Sequence, residues 1–133
     1  MDGRLARFSE IAFALMRFVA GVLFACHGAQ KLFGMFGGKV MTGSTLIMAA
    51  AVIELVGGVL IAIGLLTRAA AFISSGEMAV AYFKAHAPGG FWPIQNKGEA
   101  AVIFCFVFLF IAAHGGGRYS VDAVLRRNRQ PKA

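Results

Sequence analysis

Charge is scarce in this sequence. Only 14% of its 133 residues are Asp, Glu, Lys or Arg, and just six of them are acidic. A soluble domain of this size needs far more polar surface, so a composition that is 59% hydrophobic excludes that class and points to a membrane protein. Cysteine is nearly missing too: Cys26 and Cys105 stand far apart and neither belongs to a CxxC, so no dithiol motif can be read from them. The chain has no metal-ligand spacing, no nucleophile elbow and no phosphate-cradling loop; GMFGG at 34–38 does not lie between a strand and a helix. It shows no internal repeat.

The formal charge is nevertheless +7. The basic residues lie at the ends of apolar runs rather than among interleaved aromatics. They read as membrane-surface anchors, and no nucleic-acid partner is expected.

What the chain does have is apolar length. Leu46–Leu66, LIMAAAVIELVGGVLIAIGLL, carries Glu54 as its single charge, and as a helix it covers roughly 31 Å, the hydrocarbon thickness of a bilayer. A carboxylate at that depth must face protein, carry a proton or meet a cation. The expected helices are about 10–29, with Ser9 as cap, then 46–66, 69–87 and 96–114. Thr67-Arg68 makes the turn between the second and third. Asn96 and Glu99 have the spacing of a capping box for the last. A tail over 118–133 gives a short amphipathic helix whose Arg126, Arg127 and Arg129 suit anionic headgroups. The fold class is all-α: an integral-membrane bundle of four transmembrane helices.

Arg4, Arg7 and the apolar run from Ile11 have the look of a signal peptide, but Arg17 interrupts the run and no good cleavage site follows. Leu23-Phe24-Ala25-Cys26 is a weak lipoprotein-like site. The first helix is expected to stay. Arg4, Arg7, Arg68, Arg118, Arg126, Arg127, Arg129 and Lys132 fall on the side of the termini, against Lys31, Lys39, Lys84 and Lys97 opposite. That asymmetry puts both termini in the cytoplasm of a multi-pass protein of the bacterial inner membrane.

Each intramembrane charge sits in a row of small residues. The rows are Ala14, Arg17, Gly21 and Gly28; Ala50, Glu54, Gly58 and Ala62; and Ala70, Ser74, Glu77 and Ala81. Small-residue rows mark close helix contact. Counting from the cytoplasmic end puts Arg17 roughly 9 Å deep, Glu77 about 12 Å and Glu54 about 18 Å. One guanidinium serving both carboxylates is the expected polar core, either as a helix register or as a proton or ligand site.

A second cluster falls near the opposite face: His27, Lys31, His86, Trp92, Asn96 and Glu99, with Phe24, Phe33, Phe36 and Phe91 as candidate walls. Aromatic walls with a few convergent donors suit a quinone or a similar ring, while interface anchoring is the plainer reading. His27 and His86 alone are weak grounds for a haem. Cys26 and Cys105 come out at similar depth, so a thiol pair is an alternative to two buried small hydrophobes.

Several short pieces stand in a set order: Arg17 with Gly21, His27-Gly28 then Lys31-Leu32-Phe33-Gly34, Glu54 with Gly57-Gly58, Gly64-Leu65 before Thr67-Arg68, Asn96-Lys97-Gly98-Glu99, and Gly117 leading to Ser120 and Asp122. In this order the sequence resembles the DoxX family of small bacterial membrane proteins. The resemblance implies a four-helix membrane protein in a quinone-linked or thiol-stress redox system. Relatives include a subunit of an archaeal thiosulfate:quinone oxidoreductase and a mycobacterial member of a membrane complex with superoxide dismutase and a sulfurtransferase. It supplies no catalytic residues to carry over. No intrinsic cofactor is expected beyond a bound quinone. Redox partner subunits or a second copy of the chain are the expected protein partners. A small proton-coupled transporter or binding protein, and an anchor recruiting soluble enzymes, are the competing readings.

Overall fold

The computed structural model describes residues 2–41 and 43–129. Among these residues there are helices and no strands. Helix α1 spans Gly3–Phe33, α2 Thr45–Ile63, and α3 residues 67–86. A 3-10 turn and the one-turn α4, Pro93–Asn96, lead to α5, Glu99–His114, and α6, Val121–Arg129. The expected tail beyond residue 129, with Lys132, lies outside the described residues.

Helix α1 begins earlier than expected. Leu5 and Ala6 donate to the Asp2 carbonyl, so the first turn forms well before Ser9. Gly3–Ser9 is rich in Leu, Ala and Arg, all good helix formers. At 31 residues α1 is about 46 Å long, more than a bilayer needs. It stops at Gly34, whose φ of 67° a side chain would resist.

Helix α2 ends before Leu66, because Gly64 turns the chain at φ 73° and Leu66 itself sits at φ 48°. The turn therefore falls on 64–66, and Thr67 already belongs to α3. The stop signal is local, but the start of α3 comes from elsewhere. The Asp122 carboxylate accepts from the Leu66 and Thr67 amides at 2.9 Å each and from the Thr67 hydroxyl at 2.7 Å. It is an N-cap supplied from the far end of the sequence.

Helices α1 and α2 pack backbone to backbone. A Cβ on Gly21 would lie 2.5 Å from the Ala62 nitrogen, and one on Gly28 would lie 2.6 Å from the Ala51 carbonyl. The two small-residue rows read from the sequence thus face each other, as close helix approach in lipid requires. Helices α3 and α5 form the other close pair. Phe24 of α1 joins the pairs, its ring 4.7 Å from Phe108 and 5.7 Å from Phe104. Phe24, Ile61, Phe108 and Ile111 are fully buried, whereas Phe18, Val56, Val59, Phe72, Ile73, Ile103, Phe106 and Phe110 point outward. An apolar exterior of this extent belongs in lipid. Among the described residues two helices, α1 and α2, are long and apolar enough to cross a membrane. Helix α5 is equally apolar but reaches only about 24 Å.

Candidate functional site

The cation that meets Glu54 is Lys31, not Arg17. Lys31 Nζ donates to Glu54 Oε1 at 2.6 Å, and Glu54 is 1% exposed. Helix packing explains the match. Gly28 presses on Ala51 and Leu55, so Lys31, one turn further along the antiparallel α1, has Glu54 within reach of its long side chain. Lys31 closes the last turn of its helix, yet it reaches inward where the sequence placed it at the membrane surface. Glu54 lies in a π-helical widening of α2, Ile53–Gly57, a distortion that often marks functional positions.

Glu77 of α3 lies close enough to Glu54 and Lys31 to feel both charges. Among the described residues, Glu54 Oε2, Glu77 Oε2 and Ser74 Oγ are buried without a hydrogen-bond partner. Ser74 Oγ is pressed on Gly57, beside the widened turn. One ammonium thus bonds one carboxyl, stands near a second and leaves acceptor atoms free. Buried acceptors without partners are costly, and a proton or a donor-bearing ligand would satisfy them.

A groove of about 480 Å³ opens beside this triad between α2 and α3. Lys31, Glu77 and Lys84 supply its polar atoms, and Ile47, Ile53 and Val80 belong to its apolar walls. Gly76 leaves a gap in the α3 wall: a Cβ there would meet nothing within 4 Å.

Arg17 has a different task. Its guanidinium, 2% exposed, donates to the carbonyls of Ile61 at 2.5 Å, Ala62 at 2.7 Å and Tyr119 at 2.7 Å. It satisfies the carbonyl end of α2 and fastens the segment before α6 to α1. The expected Arg17–Glu54–Glu77 core is therefore split in two. Counting depth from the sequence missed this, because the carbonyls exposed by the Gly64 turn lie nearer to Arg17 than either acid and compete for it. Arg68 does the same work for α5, donating to the carbonyls of Ala112, Ala113 and His114.

The second expected cluster assembles only in part. His86 Nδ1 donates to the Asn96 carbonyl at 3.2 Å, and Asn96 Nδ2 donates to the Tyr82 hydroxyl at 3.1 Å and the Gly90 carbonyl at 2.7 Å. The Tyr82 hydroxyl donates to the Phe91 carbonyl. This network holds the 87–98 connection rather than leaving donors for a ligand. Asn96 Oδ1 accepts from Gly98 at 2.8 Å, an Asx turn, and Gly98 occupies the cap position with no reach-back from Glu99. The capping box does not form. His27, Trp92 and Glu99 are exposed, and Phe33, Phe36 and Phe91 point outward instead of walling a pocket. Lys31 has joined Glu54. Cys26 and Cys105 are free thiols, half-buried. The Ser75 hydroxyl donates to the Cys105 carbonyl at 2.8 Å, with Cys105 Sγ 3.6 Å away.

Outside the span, Asp122 is electrostatically tuned. Burial pushes its carboxyl up, but the Thr67 hydroxyl, the Thr67 and Leu66 amides and nearby Arg126 outweigh burial and hold it below its ordinary value.

Comparison with known proteins adds a lineage to this geometry. The DoxX family model matches residues 12–87, a stretch that contains Arg17, Lys31, Glu54 and Glu77. A protein of Haemophilus influenzae (strain Rd), itself uncharacterised, is 38% identical over 125 residues, covering 89% of this chain and 93% of its own. CatD of Bacillus subtilis (strain 168), provisionally named an oxidoreductase, is 41% identical over 64 residues, 44% of this chain and 48% of that protein. No solved structure matches the chain.

Proposed function

The chain belongs to the DoxX family, and from that premise we propose a multi-pass protein of the bacterial inner membrane that holds a quinone or a similar lipophilic ring for a membrane redox system. In this reading α1, α2, α3 and the shorter α5 form the transmembrane bundle, with both termini in the cytoplasm. The provisional oxidoreductase name of CatD supports the redox setting. The observation that carries the reading is an apolar groove of about 480 Å³ lined by Lys31, itself paired with the buried Glu54, and by Glu77. Ligand pockets are mostly apolar with a few fixed polar groups, and this one matches that description.

Lys31, oriented by Glu54, supplies the donor for a ring carbonyl, and Glu77 accepts from a ring hydroxyl. A bound quinone supplies the two-electron, two-proton chemistry; this chain's residues orient the ring, exclude water and hold the protons. The gap at Gly76 gives a lateral entry from lipid. Electrons come from a partner subunit or from a soluble enzyme docked on the membrane face.

The test is the quinone content of gently extracted protein, measured by mass spectrometry on wild type, Lys31→Met and Glu54→Gln. Near-stoichiometric quinone in wild type, falling about tenfold in the variants, is expected from loss of one or two buried polar contacts. Quinone no higher than in an unrelated membrane protein of similar size would reject the reading.

Two acids against one cation also favour a second reading, a proton-coupled binding protein or transporter. Its mark is proton or solute flux in liposomes that disappears in Glu54→Gln.

A further inference from the structure

We propose that the corner between α3 and α6 binds one anionic phospholipid, its phosphate against Arg126 and Arg129 and an acyl chain along α3 and α5. A cleft of about 390 Å³ lies where α6 crosses the start of α3, with Arg68, Leu125, Arg126 and Arg129 in its lining. A second groove, of about 510 Å³, runs between α3 and α5 past Phe72 and Leu109. Arg68 and Ala69 line both cavities, so the two adjoin. The upper part is cationic and the lower part apolar, the order of headgroup and chain in a phospholipid.

The charge in the cleft is unbalanced. Its one acid, Asp122, spends both oxygens on Leu66 and Thr67. Arg68 is held by three carbonyls but keeps its charge. Among the described residues the single ion pair is Lys31–Glu54, so neither Arg126 nor Arg129 has a salt-bridge partner there. Arg127, between them in sequence, does not line the cleft. Guanidinium groups match phosphate oxygens in geometry and charge. A free phosphate fits the arginines but gives no reason for the groove below.

The position also suits a lipid. Helix α5 is short for a bilayer at about 24 Å. Helix α6 crosses at its end with an apolar side, including Val124 and Leu125, and a basic side. That is the pattern of a helix lying at headgroup level.

The experiment uses the full chain in mild detergent, with bound lipid counted by native mass spectrometry. Phosphatidylglycerol and phosphatidylcholine with matched chains are compared with inorganic phosphate. The expected result is one phosphatidylglycerol retained in preference to phosphatidylcholine, weakened by salt, with no effect of phosphate at equal concentration. Arg126→Gln with Arg129→Gln is expected to bind phosphatidylglycerol about thirtyfold more weakly, while Arg127→Gln matches wild type. Ala112→Phe, which fills the groove, is expected to lower binding with the arginines intact. Equal retention of phosphatidylcholine by wild type overturns the proposal without any variant. So does displacement of phosphatidylglycerol by free phosphate, or unchanged binding in the double glutamine variant.

Discussion

Lys31 Nζ and Glu54 Oε1 stand 2.6 Å apart, with the glutamate side chain 2% exposed and the lysine 28%. An ion pair at this depth is not simply a source of stability, since removing two charges from water costs much of what their attraction returns. Its signature is that neither partner can be removed alone.

Lys31→Met strands the Glu54 carboxylate and is expected to cost about 3–5 kcal/mol in detergent unfolding. Adding Glu54→Gln is expected to restore most of the loss. Thermal melts of the two single variants and the double close the cycle. A coupling below about 0.5 kcal/mol, the level of independent sites, contradicts the pairing.

The same cycle on Arg17 and Glu54 is expected to be additive. Arg17→Met leaves the carbonyls of Ile61, Ala62 and Tyr119 unserved, at about 1–3 kcal/mol for each buried group left unpaired. Neutralising Glu54 returns none of it. A recovery would mean that the guanidinium does reach the acids.

Gly28→Ala is expected to disrupt the α1–α2 seam, because its Cβ would meet the Ala51 and Leu55 backbone. Overpacking of this kind costs about 1–3 kcal/mol, and backbone is the least yielding neighbour. Gly76→Ala has open space instead and should gain up to about 1 kcal/mol from helix propensity. Melting temperatures in one detergent compare the two directly, and equal effects count against the packing.

Asp122 predicts a pH dependence with a definite sign. Its folded carboxyl is held below the ordinary value by Thr67, Leu66 and Arg126. Its stabilisation is therefore complete above the unfolded value of about 4 and fades as pH falls through the lower folded value. Wild type should outlast Asp122→Ala by about 1–2 kcal/mol at pH 7, as a lost N-cap does. The gap should narrow as pH falls below about 4. Thermal melts across pH 3–7 measure it; a constant gap argues against the charged cap.

The sequence by itself determined the environment and most of the helices. Apolar runs of membrane length allow few folds, and the small-residue rows around Gly21 and Gly58 marked faces built for close helix contact. Glu54 was legible as the residue the bilayer could not tolerate unpartnered. The partner was not. Whether Lys31 or Arg17 meets Glu54 depends on relative helix register and on which carbonyls the Gly64 turn exposes, and both are set by contacts between segments far apart in the chain. The same reason hid Asp122, whose cap on Thr67 bridges residues 55 apart. A one-dimensional pattern records which side chains need a partner, and only packing in three dimensions decides which partner arrives first.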